Sequence, residues 1–347
     1  MGRKPTVNLA LPPRMRKRIR GKNTYYFYDT GAKPRKEIAL GSDFIVALRK
    51  YADLHKIDPP KRLITFGDVV ARYRAESLPK LAASTIATQT SDMKHVEAYF
   101  ATAPLDEIKP SHISKFLAKH SDKPTTANRG KRLFSTMWNQ ARGWGYTDLP
   151  NPCEGIKGHA LAARTVYITD DVFHAVHAQG DAPLRDALDL AYLTGQRPGD
   201  TLDMTELDLV DGHLIVTQFK TTKPLRITLT GRLAETIARI HARKALCKTP
   251  SDALLVTDTG KRVTKQMLRK RFEHARAAAA KKAESDGQPL LAARIKEMWF
   301  YDLRAKAADD TREDRGEQAA SDLLGHDSVR TTQKHYLRRG KVVAPTK

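Results

Sequence analysis

The residues best suited to chemistry lie near the C-terminus, in Leu324-Gly325-His326-Asp327-Ser328-Val329-Arg330-Thr331-Thr332-Gln333-Lys334-His335-Tyr336. Gly325 suits the left-handed position that ends a helix, so the run from Gln318 to Leu324 is expected to stop there. Asp327 or Ser328 can cap the next helix. That arrangement fixes His326 at a helix junction and lets Tyr336 project from the following helix. A phenol with a reference pKa of about 10 is a poor nucleophile at neutral pH unless its surroundings help it ionise. Taken alone, the stretch also suits a surface helix-turn-helix with a packed tyrosine.

The Leu-Gly-His followed about ten residues later by a tyrosine resembles the C-terminal box of the tyrosine recombinases, the phage-type integrases. That family also uses an arginine, a lysine and a second arginine upstream. Arg197 in Thr194-Gly195-Gln196-Arg197, Lys220 in Gln218-Phe219-Lys220-Thr221, and Arg304 in Tyr301-Asp302-Leu303-Arg304 stand in that order. Breaking a phosphodiester without a metal builds negative charge on two non-bridging oxygens, and planar guanidinium forks neutralise such charge well. The resemblance implies that Arg197 and Arg304 do this and that Lys220 protonates the leaving 5′-oxygen from a hairpin tip, with Lys223 the rival lysine. It further implies that His326 bonds the scissile phosphate and helps shuttle protons, and that Tyr336 forms a 3′-phosphotyrosyl link. The bond energy stored in that link removes any need for ATP, a metal or another cofactor. Asp200 could orient a basic residue or simply sit at a helix N-terminus. One departure stands out. Where the family reads His-x-x-Arg, this chain has Tyr301, a hydrogen-bond donor but a weak base.

Composition agrees with a polyanionic partner. The 347 residues carry a formal net charge of +22, which points to nucleic acid. Arg3, Lys4, Arg14, Arg16, Lys17, Arg18, Arg20 and Lys22 crowd the N-terminus without an intervening acid, and Lys131 and Arg132 offer further phosphate contacts. Pro12, Pro13 and the missing apolar helical face argue against membrane-surface binding. Cys153 and Cys247 are the two cysteines, too few for a disulfide framework or a zinc site. With no apolar leader or membrane span in view, a cytoplasmic protein associated with the nucleoid of a bacterial host is expected.

The elements that must position these residues read as three domains, mainly helical with small sheets. Residues 1–58 are expected to form an arm-type DNA-binding domain, a three-stranded sheet plus a helix. Two of its strands are visible, Tyr25 to Tyr28 and Glu37 to Leu40, with residues 1 to about 22 reading as irregular. Asp58 to Arg62 reads as a linker. Residues 63–155 read as a helical, SAM-like core-binding domain, with helices at Phe66 to Glu76, Ser84 to Phe100, Pro110 to Lys119 and Thr125 to Trp144. Residues 164–347 read as an α+β catalytic domain. It has an apolar helix from Leu184 to Leu193, a hairpin of His213 to Phe219 with Leu225 to Leu229, a helix from Gly231 to Leu246, a strand at Leu254 to Thr257 and a helix from Lys265 to Glu284.

The resemblance, to the lambda-like integrases in particular, implies a site-specific recombinase that integrates or excises a phage or mobile element. It also implies a homotetramer on double-stranded core and arm attachment sites, aided by a DNA-bending host protein and an excisionase. The alternative is a DNA-binding architectural protein that kept the fold and is impaired in cleavage.

Overall fold

The computed structural model describes residues 11–55, 64–219, 224–340 and 343–346. The chain divides into two compact units, Met1–Ala162 and Ala163–Lys347.

The first unit opens with an antiparallel sheet of β1 (Met15–Arg20), β2 (Asn23–Asp29) and β3 (Glu37–Gly41), in that order. Helix α1 (Phe44–His55) covers it. Met15, Tyr28, Leu40, Ala47 and Tyr51 form the small core. Strand β1 corrects the sequence reading, in which residues 1 to 22 were irregular. A run so rich in arginine lacks an apolar alternation, and pairing with β2 is what orders it. Acids on the neighbouring strands also offset its charge: Arg16 lies 3.1 Å from Asp29, and Arg18 lies 2.5 Å from Glu37. Asp58 to Arg62, read as a linker, lies outside the described residues.

Helices α2 (Phe66–Glu76), α3 (Ala83–Phe100), α4 (Pro110–Lys119) and α5 (Pro124–Gly143) follow. Thr65 and Asp68 close a capping box at the start of α2, the Thr65 N–H donating to Asp68 Oδ2 at 2.9 Å. Phe66 stacks on Phe134 with centroids 4.4 Å apart, and Phe100 and Trp138 complete an aromatic core. A β-carbon on Gly130 would lie 2.9 Å from the Phe116 ring, so glycine lets α5 approach α4 closely. The sheet–helix module meets this bundle through Asp43, which accepts from Arg72 at 2.8 Å and from the Tyr146 hydroxyl at 3.1 Å.

The second unit contains α6 (Asp170–Gln179), α7 (Ala182–Thr194) and α8 (Pro198–Asp203). A sheet of β4 (Leu209–Val210), β5 (His213–Thr217) and β6 (Pro224–Thr228) comes next. Then follow α9 (Gly231–Ala245), α10 (Lys265–Ser285), α11 (Pro289–Glu297), α12 (Asp302–Leu324) and α13 (Val329–His335). The Asp181 side chain caps α7 by accepting from the Leu184 N–H, and Gly195 ends that helix in the left-handed region. Helix α12 is broken at Gly316, whose φ is 86°.

The expected strand at Leu254 to Thr257 is not formed. Leu254, Leu255 and Val256 are fully buried, but their backbone makes only isolated bridges nearby, such as Val256 with Arg262. An apolar run of this length marks burial and not conformation. Short β4, α8 and α11 were not marked in the sequence, because elements of two to nine residues carry little periodicity.

Candidate active site

Within the second unit, five expected residues converge: Arg197, Tyr301, Arg304, His326 and Tyr336. Arg197 caps the N-terminus of α8, just after the Gly195 turn. Tyr301 and Arg304 open α12. His326 follows Gly325, whose φ of 66° ends α12, and Tyr336 follows the last residue of α13. Ser328, not Asp327, caps α13, its side chain accepting from the Arg330 N–H.

Arg304 is the anchor. It is 1 % exposed and is held by backbone, its two terminal nitrogens donating to Gly195 O and Leu324 O, each at 2.7 Å. Nη2 also reaches His326 Nε2 at 3.2 Å. Because a guanidinium can only donate, that imidazole nitrogen accepts. His326 Nδ1 is then the protonated nitrogen and donates to Thr332 Oγ1 at 2.7 Å. Burial first, then Arg304 and Arg197, pull the His326 pKa down to about 4, so the ring is neutral at physiological pH.

Arg197 is placed by a glutamine. Its Nη1 donates to Gln218 Oε1 at 3.2 Å, while Gln218 Nε2 donates to Gln196 Oε1 at 2.7 Å and Leu324 O at 2.9 Å. Asp200 Oδ2 lies 3.6 Å from Arg197, and Asp200 Oδ1 accepts from the Phe219 N–H at 3.1 Å. Asp200 therefore ties the Arg197 turn to the end of β5. Lys220, the next residue, lies outside the described residues, as does Lys223.

The two phenols touch. Tyr301 Oη and Tyr336 Oη are 2.7 Å apart. The Tyr336 ring lies under the Arg304 guanidinium at 5.1 Å and beside the His326 ring at 5.0 Å. Burial raises both hydroxyls. For Tyr336 this is outweighed by the Tyr301 hydrogen bond and the charges of Arg304 and Arg197, so its pKa falls below the ordinary value. For Tyr301 burial and the adjacent Tyr336 prevail, and its pKa is pushed up to about 12. The pair borders a cleft of about 790 Å³ whose wall also includes Arg164, Trp299 and Lys334. Basic side chains around an acidified phenol suit attack on a phosphate diester.

Two family models match, the phage integrase family over residues 169–341 and its N-terminal SAM-like domain over residues 65–121. The chain belongs to the phage integrase family. Family membership makes it a site-specific DNA recombinase. The integrases of Enterobacteria phage 434 and Escherichia phage HK022 are 24 % and 25 % identical to it, each match covering 95 % of this chain. It covers 95 % and 94 % of those relatives. A lambda integrase dimer bound to a COC′ core site superposes with a TM-score of 0.68 at 21 % identity, over 97 % of this chain and 98 % of that one. The Tn1549 transposon integrase in complex with circular intermediate DNA gives 0.62 at 15 %, over 80 % and 96 %. These likenesses show the integrase fold.

Several residues of the recombinase's site carried no sequence signal of their own. Gln218 and Gln196 join strand, turn and helix end. Asp302, wholly buried, accepts from Arg164 Nε at 2.8 Å, Arg338 Nη1 at 2.6 Å and the Trp299 N–H at 2.8 Å. Arg338, two residues past the tyrosine, also donates to Val166 O at 2.6 Å. Of the expected phosphate-binding residues, Arg3 and Lys4 lie outside the described residues. Arg14, Arg16, Lys17, Arg18 and Arg20 are exposed on or beside β1. Arg132 is exposed on α5, whereas the Lys131 ammonium donates to Ile156 O.

Proposed function

We propose that Tyr336 is the nucleophile with which this recombinase cuts and rejoins DNA. The single observation that carries the reading is the Tyr336 hydroxyl at a cleft edge, with Arg304, Arg197 and His326 around it. The phenolate attacks the scissile phosphorus, the bond to the 5′-oxygen breaks, and a 3′-phosphotyrosyl link holds the strand end. Arg197 and Arg304 neutralise the charge growing on the non-bridging oxygens. His326, neutral and fixed by Thr332, bonds the phosphate, and Lys220 protonates the departing oxygen. A free 5′-hydroxyl from another strand then reverses the step on the phosphotyrosine, with no metal or ATP consumed.

Residues 164–347 serve as the catalytic domain, 63–155 as the core-binding domain and 1–58 as the arm-binding domain, where the exposed arginines of β1 meet phosphates. A lambda integrase tetramer bound to a Holliday junction superposes with a TM-score of 0.68, and four copies on paired sites are the assembly proposed here. Integration or excision of a phage or mobile element in the bacterial cytoplasm, with a DNA-bending protein and an excisionase as helpers, extends the family resemblance. A protein retained only for DNA binding is not favoured, since the five converging side chains keep a connected hydrogen-bond and charge network.

The test uses DNA flanking the gene, nicked to trap cleavage, with wild type and Tyr336→Phe. A denaturant-resistant protein–DNA adduct is expected with wild type alone. An adduct with both proteins would move the nucleophile elsewhere. Tight binding without any adduct would favour the architectural reading.

A further inference from the structure

We infer that Tyr301 keeps its own proton throughout the reaction and donates it as a hydrogen bond to the Tyr336 oxygen, stabilising the phenolate instead of deprotonating it. The inference rests on Tyr336 being the nucleophile. A residue at this position that removed the proton would act as a base. A phenol can do so only if it has already lost its own proton, since a neutral phenol is a poor base.

The surroundings decide which of the two carries the charge. Tyr336 is the ring that lies under the Arg304 guanidinium. The charged and titratable groups around the pair come from every neighbouring element: Arg197 before α8, Arg164 before α6, Arg304 on α12, His326 and Asp327 on the α12–α13 turn, Lys334 and His335 on α13, and Arg338 beyond it, with Asp302 paired to Arg164 and Arg338. Cations dominate this set, and Arg304 and Arg197 favour the anion on Tyr336 in spite of its deeper burial. Tyr301 is 40 % exposed and Tyr336 8 %. Two phenolates 2.7 Å apart would repel, so Tyr301 stays neutral and donates. The high Tyr301 pKa agrees with this assignment.

His326 is not free to act as the base. Both His326 nitrogens are engaged, Nε2 by Arg304 and Nδ1 by Thr332. With Tyr301 protonated and His326 engaged, the Tyr336 proton leaves to solvent hydroxide at the open cleft, forming water. The phenolate oxygen then makes the bond to phosphorus, the phosphorus–5′-oxygen bond breaks, and its electron pair stays on the 5′-oxygen, which takes up a proton from the general acid or from water. On rejoining, the phenolate leaves with its electron pair and Tyr301 again donates to the charge growing on the Tyr336 oxygen.

The test is single-turnover cleavage of the nicked site by the full chain between pH 6 and 9, read as covalent adduct, for wild type, Tyr301→Phe and Tyr301→His. The wild-type rate is expected to rise close to tenfold per pH unit below the Tyr336 pKa, as for a reaction of the phenolate alone. Tyr301→Phe should cleave about 10- to 100-fold more slowly at pH 7, the loss of one hydrogen bond to a charged group, with its plateau moved to higher pH. Tyr301→His should flatten the profile by supplying an internal base. A wild-type profile flat from pH 6 to 8, or a Tyr301→Phe variant as fast as wild type, would overturn the inference. If the variants do not fold, a wild-type profile flat from pH 6 to 8 still overturns it. An adduct that survives Tyr336→Phe would instead remove the nucleophile assignment.

Discussion

Asp302→Asn tests how the segment that carries Tyr336, the proposed nucleophile, is held. The carboxylate is fully buried and meets three donor groups. Oδ1 accepts from Arg164 Nε and Arg338 Nη1, and Oδ2 accepts from Arg164 Nη2 at 2.6 Å and from the Trp299 N–H. Asparagine keeps the shape but turns one oxygen into a donor. At least two of the present donors then lose their acceptor, and two arginines lose their countercharge. Breaking a buried ion pair costs about 3–5 kcal/mol. The Arg338 side chain is 5 % exposed and carries that cost in full, whereas Arg164 at 24 % exposed recovers part of its loss from water. A loss of about 3 kcal/mol is therefore expected, at the lower end of that range. Urea unfolding of the full chain gives the magnitude, and covalent adduct yield gives the consequence. Arg338 lies two residues beyond Tyr336, so cleavage should fall while binding to the same DNA is kept. A variant less than about 1 kcal/mol weaker, with normal adduct yield, would refute both the energetic argument and the positioning role.

Arg197→Ala should leave unfolding nearly unchanged, because its partners Gln218 and Asp200 keep other contacts, and should lower the cleavage rate about 10²–10³-fold as expected for a lost charge-stabilising donor. Single-turnover adduct kinetics check it, and equal rates would take Arg197 out of the phosphate cradle. Gly325→Ala forces a β-carbon into a left-handed backbone, at a cost of about 1–2 kcal/mol. That carbon would also lie 2.9 Å from Gln218 Nε2 and 3.0 Å from Leu225 Cδ1. Thermal unfolding should show the loss and cleavage should drop with it, since Gln218 carries Arg197; an unchanged melting temperature would contradict the steric reading.

What the sequence disclosed was what local chemistry dictates. Gly325 announced the end of α12, and the apolar run from Leu184 the buried α7. The phage integrase membership followed from motifs that stay together in the chain. What stayed hidden depends on distant partners. β1 is a strand because it pairs along β2, with Asp29 and Glu37 within reach of Arg16 and Arg18, a fact absent from residues 15–20 themselves. Gln218 bridges Arg197 to the end of α12, and no spacing rule singles out a glutamine. Asp302 sits in the recognisable Tyr301–Arg304 box, but its partners Arg164 and Arg338 are 138 and 36 positions away. Leu254 to Val256 showed that burial can be read from composition while conformation cannot.

The way Arg304 is held explains how a guanidinium can be 1 % exposed and still be fixed for the proposed contact with a phosphate. Its two carbonyl partners are not arbitrary. Gly195 follows the last residue of α7, and Leu324 is the last residue of α12. Carbonyls at helix C-termini lack intrahelical donors and carry the negative end of the helix dipole. One cation therefore satisfies two helix ends, which offsets part of the cost of burying it. Both glycines that end those helices, Gly195 and Gly325, have little space for a side chain, with Leu324 Cδ2 3.0 Å from a β-carbon on the first and Gln218 on the second. The close packing that places Arg304 is thus the same packing that turns the chain toward Arg197 on one side and His326 on the other. Charge stabilisation of this kind needs donors fixed before the substrate arrives, so that little reorganisation accompanies the reaction. Here the fixing is done by backbone, and the groups proposed to bind phosphate inherit their positions from where two helices stop.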